Sequence, residues 1–506
     1  MKQLENTILN KLSEIYIFLI LIVFPLVVDH TGYFHILEFK WNVFTLFTVS
    51  YIFITILVFL YFLIAKKINF FKGKKLSIFQ KLMIIFLIIN ALSCFLSPYF
   101  STHNLIIGSG RLEGLLVQVL YILSFLFLTF FAKLEKRYLL YFSISSILFS
   151  LICILQYIGF NPFNIYHDGI GTYNTSFIGT IGNVDFVSAY YVVFLTISFS
   201  CFIFLEEEFW RKIIHYLSFI LGFFIFGVIS VKSGVVGFAG TLILILPLLF
   251  ANNKYAYRFV LIIAAVIFAY AFNIFMNPVY YYKYAKLVLE WNFNMKFAIM
   301  LFLVIIIVIL GLIIKNTKFD FSKRKDLLKK YYIFLGSSII LALLFLFIVD
   351  FKSGFLHEIH ELLHGNFDDN YGTYRVFLWK RTLKMITRPI LGIGPDAFVI
   401  PFMERYTEDI ISIGPYAIND TAANIYLTML INIGLSGLIV YLAFLFNHVK
   451  TFIKNCNDIS KVLIVAIIAY SIQAFFNLSV VLVTPFIYVL FALHSISYID
   501  NKKKKN

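Results

Sequence analysis

Long hydrophobic runs separated by short polar segments dominate the pattern of this chain. The runs at 44–65, 115–132 and 297–314 each approach the roughly 20 apolar residues that a transmembrane helix needs. The alternation of apolar and polar residues that a membrane β-barrel requires is not seen. We therefore predict an all-α polytopic membrane bundle of about fourteen transmembrane helices. They fall near residues 14–29, 42–65, 79–97, 114–132, 138–158, 184–205, 213–230, 235–251, 258–276, 297–315, 332–350, 423–447, 462–479 and 481–498.

One long segment interrupts the hydrophobic pattern. Residues 350–422 carry many charged, Gly and Pro residues between two apolar runs, so we predict a large extracytoplasmic loop that contains an amphipathic helix. The loop divides the chain into an N-terminal transmembrane part of about eleven spans (1–349) and a C-terminal transmembrane part (423–506). Loops rich in Lys and Arg follow every second span, which predicts that both termini are cytoplasmic.

The amphipathic helix is predicted over 374–388, where apolar and basic residues recur at helical spacing. Arg375 then projects among apolar residues such as Trp379 and Leu383, whereas Arg388 lies on the basic face. A guanidinium on a buried face is costly unless it is paired, and its fixed fork of donors suits phosphate or carboxylate. Arg375 therefore either holds an anion or sits in the first helical turn and extends outward to water.

Composition agrees with a membrane protein and excludes other classes. The 506 residues are 61% hydrophobic and only 13% charged, which is outside the range of soluble globular proteins. The net charge of +16 comes from lysines in alternate loops, so membrane orientation explains it and no nucleic-acid partner is predicted. The four cysteines have neither pairing nor metal-ligand spacing. The apolar N-terminal run lacks a small-residue cleavage site and reads as a retained signal anchor.

Glycine-rich segments at the predicted outer mouths of spans are further candidates for chemistry. Arg111 lies between glycines in the segment 108–116, and Asn183 lies in a glycine-rich entry to a helix at 179–190. Freed N–H groups at such a helix entry can face an anion. A third segment is the turn at 232–234. Glycine at the end of a span is usually a turn or a packing position, so each signal is weak alone.

The polar motifs follow one another in a specific order. They read R-x-x-G-L-L from Arg111, G-T-x-G-N from Gly179, Y-R-x-x-x-W-K from Tyr374, P-I-L-G-I-G-P-x-x-F from Pro389, and A-N-x-Y-L with G-L-x-G-L from Ala423. This order resembles the O-antigen ligase and O-antigen polymerase superfamily of bacterial membrane glycosyltransferases. The region that carries most of the resemblance is 350–447.

The resemblance implies a metal-independent and cofactor-free transfer of glycan from an undecaprenyl diphosphate carrier. The acceptor would be a glycan, a lipid or a protein, and the reaction would occur at the outer face of the bacterial cytoplasmic (inner) membrane. Carried over by motif, Arg111 and Arg375 would be the catalytic arginines that hold the diphosphate. Fixed guanidinium groups suit this role because the leaving diphosphate gains charge in the transition state.

Further residues follow from the same resemblance. The predicted substrate-binding residues are Arg388, Asn424 and Asn183, together with Trp379 and Tyr371 as aromatic surfaces for sugar.

Two positions depart from the family pattern. The ligases typically have a histidine before the asparagine, as the expected base, and here that position is Ala423. Asp420 is the nearest carboxylate and is predicted to act as the catalytic base. Gly234 stands where many relatives have arginine. We therefore favour a polymerase over a ligase in surface polysaccharide biosynthesis, of O-antigen, capsule or exopolysaccharide.

Two other functions fit parts of the sequence. His360-Glu361-x-x-His364 has the spacing of a zinc metalloprotease motif, although no clear third ligand follows it. A flippase for lipid-linked oligosaccharides would share the number of spans and the basic outer segments. Flippases need charged residues within their spans, and spans such as 297–314 contain none.

Overall fold

The computed structural model describes residues 2–29, 35–66, 75–161, 163, 165, 179–285, 295–321, 324–413, 420–454 and 457–505. The regular secondary structure of these residues is helical, with no β-strand among them. The helices are α1 (Lys2–Phe18), α2 (Phe24–Leu26), α3 (Ile36–Lys66), α4 (Ile78–Phe95), α5 (Leu115–Phe131), α6 (Arg137–Tyr157), α7 (Val184–Phe204), α8 (Phe209–Ile229), α9 (Lys232–Leu249), α10 (Asn253–Ala285), α11 (Met295–Asn316), α12 (Lys325–Ile348), α13 (Phe355–Leu363), α14 (Arg375–Lys384), α15 (Val399–Ile413), α16 (Ile425–Lys454), α17 (Asp458–Gln473) and α18 (Thr484–Lys505).

The helices agree with the predicted spans. Within the described residues, twelve helices are long and apolar enough to cross a membrane. The two remaining predicted spans overlap α5, which is apolar but has 17 residues, and α18. The prediction of an all-α polytopic bundle is therefore confirmed, while the number of helices that cross the membrane and the sides on which the loops lie stay predictions.

Helix α7 is the centre of the bundle. Every residue from Phe186 to Phe204 is buried, and α7 packs against α6, α8, α9 and α17. A helix that is apolar on all sides is expected to be buried in this way. Helices α11 and α12 expose most of their apolar side chains instead, as helices that face lipid do. The first turn of α7 is consequently held in the middle of one end of the bundle.

The two ends of α7 contact different kinds of residues. Its C-terminal end receives Arg258, whose Nη1 donates to the carbonyl of Ile203 at 2.8 Å. Arg111 lies against its N-terminal end, with the guanidinium 5.7 Å from the ring centre of Phe186. A helix of 21 residues is about 30 Å long. The glycine-rich segment with Arg111 and the charged residues around Arg258 therefore lie at opposite ends of the bundle.

A loop at 389–394 crosses a break in helix α16. Gly434 has φ +73°, which interrupts the helix, and the backbone groups released there bond to the loop. Ile393 N and Gly394 N donate to the carbonyls of Ile431 and Asn432, at 3.0 and 2.7 Å. Leu435 N donates to the carbonyl of Pro389 at 2.7 Å. The two glycine motifs at 389–395 and 434–438 are thus two halves of one packed crossing.

The predicted amphipathic helix is shorter than expected. Helix α14 ends at Lys384 rather than at residue 388, because the chain turns before Pro389 and the residue before a proline disfavours the helical region. Leu383 was predicted on the buried face and is instead 57% exposed. The residues that bury α14 are Val376, Phe377, Leu378 and Thr382.

Candidate active site

Asp396 holds the segment that carries Arg111. Its Oδ2 accepts the backbone N–H groups of Gly110, Arg111 and Glu113, at 3.0, 2.9 and 3.1 Å. Ser109 Oγ donates to the backbone carbonyl of Asp396 at 2.7 Å. One buried carboxylate thereby fixes the backbone from residue 109 to residue 113. The position of Arg111 follows from this contact with a loop almost 300 residues away in sequence.

Glycine is required next to this carboxylate. A Cβ added at Gly108 would lie 2.4 Å from Asp396 Oδ2, and the φ of Gly108 is +122°. Residues other than glycine rarely adopt such a φ. The clash between the added Cβ and Oδ2 would also displace the carboxylate. The glycines around Arg111 therefore serve the close approach of Asp396.

The side chain of Arg111 forms an ion pair with Asp420. The distance from Arg111 Nε to Asp420 Oδ2 is 2.5 Å, and the two side chains are 24% and 10% exposed. Burial raises the pKa of Asp420, and the guanidinium of Arg111 lowers it. The structure shows no hydrogen bond from Nη1 or Nη2 of Arg111 to any described residue, so these two donors remain for a ligand. Two residues predicted to be catalytic thus lie in direct contact.

Arg375 is the first residue of α14 and points into the protein. Its Nη1 donates to the carbonyl of Gly372 at 3.0 Å and to Thr373 Oγ1 at 3.2 Å, and its Nη2 donates to the carbonyl of Phe476 at 3.1 Å. It forms no salt bridge with any described residue. Its Nε is buried and has no hydrogen-bond partner among the described residues. Burial lowers the pKa of Arg375, and the charge of Asp185 raises it.

Both arginines are found at the first turn of α7. Arg111 lies against Phe186, and Arg375 interacts electrostatically with the neighbouring Asp185. Residues 476 and 477 link Arg375 to Asp185. Arg375 Nη2 donates to the carbonyl of Phe476, and Nδ2 of the next residue, Asn477, donates to the carbonyl of Asp185 at 3.2 Å. The sequence-predicted pair therefore shares one location at the end of the central helix.

The comparison with known families adds the decisive observation. A family model described as O-antigen ligase matches residues 294–442. Residues 294–442, called the O-antigen ligase domain below, are similar to this family. The resemblance predicted from the motifs is confirmed, and it supports a membrane protein of the O-antigen ligase or polymerase type. A search among curated proteins found no match.

The O-antigen ligase domain contains Arg375, Asp420 and the crossing of residues 389–394 with α16. Arg111 lies outside the matched residues and reaches the domain through Asp396 and Asp420. The candidate site is therefore assembled from the domain and from the N-terminal helices, and neither part holds both arginines alone.

Three predicted substrate-binding residues are used to position helices of this site. Asn183 Oδ1 accepts the N–H of Asp185 at 2.8 Å and caps α7, and Asn424 Oδ1 accepts the N–H of Leu427 at 3.0 Å at the start of α16. Trp379 Nε1 donates to the carbonyl of Ala422 at 3.0 Å. The contacts of Asn424 and Trp379 fix the segment that carries Asp420, while direct contact of these residues with a substrate stays a prediction.

The other two predicted residues have contacts elsewhere. Arg388 Nη1 donates to the carbonyl of Leu96 at 2.6 Å, at the end of α4. The ring of Tyr371 lies edge-on to His357 of α13, with 6.4 Å between the ring centres. No contact links either side chain directly to Arg111 or to Arg375 within the described part of the chain.

Sequence reasoning missed two buried carboxyl groups. Asp396 was read as part of a Gly/Pro loop, and Glu113 as a residue of the glycine-rich segment. Both are buried, and burial raises the pKa of Asp396 to about 7 against the lowering effect of its three backbone N–H donors. For Glu113 the sequence held a signal: it lies two positions after Arg111 at the mouth of a span, where a charged residue is costly and therefore a candidate for function.

The proposed zinc motif does not have the arrangement of a metal site. His360 Nδ1 and His364 Nδ1 each lie 2.9 Å from a backbone carbonyl oxygen, of Leu346 and of His360. Glu361 accepts a hydrogen bond from Asn366. Among the residues that the structure describes, no group of three or more His, Cys, Asp or Glu side chains is placed to hold a metal ion. The residues of α13 therefore do not fit the zinc centre that their spacing suggested.

Proposed function

We propose that this protein is a membrane glycosyltransferase that uses a polyprenyl diphosphate-linked glycan, undecaprenyl diphosphate in a bacterium, as its donor. It would act at the outer face of the bacterial cytoplasmic membrane and lengthen or attach a surface polysaccharide. Polymerisation is favoured over ligation, because Ala423 replaces the histidine expected in the ligases. Guanidinium groups, rather than a metal ion, would neutralise the diphosphate.

The observation that carries this proposal is that Arg375 forms no salt bridge with any described residue and feels the charge of Asp185 only at longer range. A half-buried guanidinium without a carboxylate in direct contact is unfavourable unless an anion completes it. Its buried Nε lacks an acceptor in the part of the chain that the structure describes, and the two terminal nitrogens of the nearby Arg111 are also available there. A diphosphate carries enough oxygens to accept hydrogen bonds from both side chains. The donor ligand of an O-antigen ligase domain has this chemistry.

The chemical role of the two arginines follows from charge development. As the bond between the anomeric carbon and the diphosphate breaks, the electron pair remains on the diphosphate oxygen. Fixed positive groups in a site shielded from water stabilise this charge more than they stabilise the bound donor. The ion pair with Asp420 keeps Arg111 oriented while its terminal nitrogens are free to bind.

Arg375→Lys tests the proposal. Lysine keeps the charge and loses the fork of donors, so we expect transfer from a polyprenyl diphosphate-linked donor to fall about 100-fold or more, the usual effect of removing one fixed donor to a developing anion. The measurement is single-turnover transfer by the full chain in lipid nanodiscs. Products of increasing length on lipid-linked acceptors indicate a polymerase, and single attachment to a lipid or protein acceptor indicates a ligase.

Arg258→Lys is the matched control. Arg258 is also buried and also donates to backbone carbonyls, but it lies at the other end of α7. Its substitution should leave transfer within a few-fold of the wild type. A wild-type rate for Arg375→Lys, or an equal loss in both variants, would contradict the role given to Arg375.

A further inference from the structure

A cavity lies next to the Arg111–Asp420 pair. It has a volume of about 90 Å³ and is bounded by α4, α5, α16, α17 and α18. One water needs roughly 10–15 Å³ of such volume, so the space suits a larger polar group. Its outer wall contains Glu113, Asp396 and Thr421, and Thr421 directly follows Asp420. The cavity therefore begins where the proposed diphosphate site ends.

Glu113 is a buried acidic group of this cavity that has no basic partner among the described residues. It is 6% exposed. Tyr121 donates to its Oε1 at 2.7 Å, and Gln118 and Ser479 donate to its Oε2 at 3.2 and 3.1 Å. A carboxylate has about four lone-pair positions, so Oε1 can accept one more donor. No arginine or lysine of the described residues forms a salt bridge with Glu113.

Asn432 provides an independent sign of a ligand in the same cavity. It is 9% exposed, and its Oδ1 is buried with no hydrogen-bond partner among the described residues. An unsatisfied buried amide oxygen costs about 1–3 kcal/mol. It lines the cavity together with Tyr441, Tyr470 and Tyr488, and its unsatisfied oxygen points to an occupant that donates hydrogen bonds. Sugar hydroxyl groups have this property.

We propose that this cavity binds the acceptor sugar and that Glu113 is the general base of the transfer. This assignment rests on the proposed function. The acceptor hydroxyl oxygen forms the new bond to the anomeric carbon of the donor, and its proton moves to Oε1 of Glu113. The bond between the anomeric carbon and the diphosphate oxygen breaks, and the polyprenyl diphosphate leaves with the electron pair.

Asp420 is less suited to this role than Glu113. It is held by Arg111 at 2.5 Å, and accepting a proton would discard that ion pair. Asp420 instead acts as a positioning residue that keeps the guanidinium of Arg111 in place. The role of the histidine that Ala423 replaces is then taken by Glu113. The base lies in the R-x-x-G segment rather than in the segment before Asn424.

The electrostatic surroundings of Glu113 support a base that works near neutral pH. Burial raises the pKa of Glu113 to about 8, the charge of Asp396 adds to this, and the donors Tyr121, Ser479 and Gln118 lower it. A general base is most effective when its pKa is close to the working pH. The titratable groups that interact with it are Asp396, Tyr121, Tyr470 and Tyr488. The nearest charged pair in the chain is Arg111 with Asp420.

The test separates donor binding from transfer in the full chain in nanodiscs. Glu113→Gln should lower kcat by about 100-fold or more, the size of a general-base contribution, and leave the Kd for a polyprenyl diphosphate within threefold. Glu113→Asp should retain part of kcat. In the wild type, kcat should rise with pH up to about 8 and then level off, because the carboxylate is the active form. In Glu113→Gln this rise should be absent.

Two further variants keep the result interpretable. Glu207→Gln removes a buried carboxyl group at the opposite end of the bundle and should leave kcat within a few-fold of the wild type. Asn432→Leu removes no protein hydrogen bond of Oδ1, so the fold should be retained while the KM for the acceptor rises about tenfold, as expected for one lost hydrogen bond of about 1.4 kcal/mol.

Each outcome decides between the two proposals. A wild-type kcat in Glu113→Gln, loss of donor binding together with kcat, or an unchanged acceptor KM in Asn432→Leu would overturn the role of this cavity. In each of these cases the wild type still transfers glycan and the proposed function stands. A wild type that binds no polyprenyl diphosphate would overturn the proposed function and this assignment with it.

Discussion

Asp396 is the single residue on which most of the candidate site depends. Its carboxylate binds three backbone N–H groups of the segment that carries Arg111 and Glu113, and its own φ is +57°. Such a conformation is uncommon outside glycine, asparagine and aspartate. Asp396 therefore combines a turn conformation with a contact that joins the O-antigen ligase domain to the N-terminal helices.

Replacing Asp396 by alanine should destabilise the protein and move Arg111. One buried and two partly buried backbone donors lose their acceptor, and an unsatisfied buried donor costs about 1–3 kcal/mol before relaxation. We expect Asp396→Ala to lower the Tm by several degrees and to abolish transfer, measured by thermal unfolding and by the nanodisc assay. Asp368→Ala, at an exposed acidic loop residue, should change neither. Equal Tm values for both variants would contradict the role of Asp396.

The residues of the site differ in how far the sequence alone predicts them. Arg111 and Arg375 could be predicted because a basic residue at the outer mouth of a span has no other evident purpose. Asp396 and Glu113 could not, because an acidic residue in a glycine-rich loop is usually exposed to water, and only the contact between distant segments buries it. The joint location of the arginines also depends on that contact, since 264 residues separate them in sequence.

At the scale of elements, the spans were predictable and the interruptions were not. Apolar runs of about 20 residues predict helices because a lipid environment leaves the backbone no other way to satisfy its hydrogen bonds. The break of α16 at Gly434 was hidden, because glycine within a span commonly serves helix packing. The end of α14 before Pro389 was missed because the helical spacing of charges continued beyond it. Both errors concern the crossing at 389–394. There the backbone of the loop forms the hydrogen bonds that α16 loses at its break.

Gly434→Ala tests the importance of this crossing. At φ +73° an alanine is strained by about 1–3 kcal/mol, and its Cβ would lie 2.2 Å from the carbonyl oxygen of Ile390, which must move. We expect a clear fall in Tm and a larger loss of transfer, because the crossing positions Pro395 and Asp396. Thermal unfolding and the transfer assay measure the two effects.

Gly227→Ala is the control for this substitution. Gly227 lies within α8, and a Cβ there would meet no atom within 4 Å. Alanine is also the better helix former by roughly 0.5–1 kcal/mol, so this variant should be as stable as the wild type or slightly more stable. If the two alanine variants behaved alike, the crossing would be a packing detail without influence on the site.

At the scale of the whole molecule, α7 separates two chemically different ends. The end with Arg111 and Arg375 is rich in glycine and buried acidic residues. Arg137 pairs with Glu14 at the other end, where Asn10 Oδ1 also accepts the N–H of Lys133. The N-terminal helix therefore meets the basic loops there. The positive-inside rule predicts that this end faces the cytoplasm, which would leave the two arginines on the outer side, where the proposed transfer would occur.

Single-cysteine labelling decides which end of the bundle faces outward. In a background without the four native cysteines, Asn366→Cys marks the site end and Thr317→Cys marks the basic end, and both positions are exposed. We expect a membrane-impermeant maleimide to label Asn366→Cys in intact spheroplasts and to label Thr317→Cys only after permeabilisation. The reverse pattern would place both arginines in the cytoplasm. An outer-face transfer would then be impossible, because a diphosphate held by Arg375 could not meet an acceptor on the opposite side of the membrane.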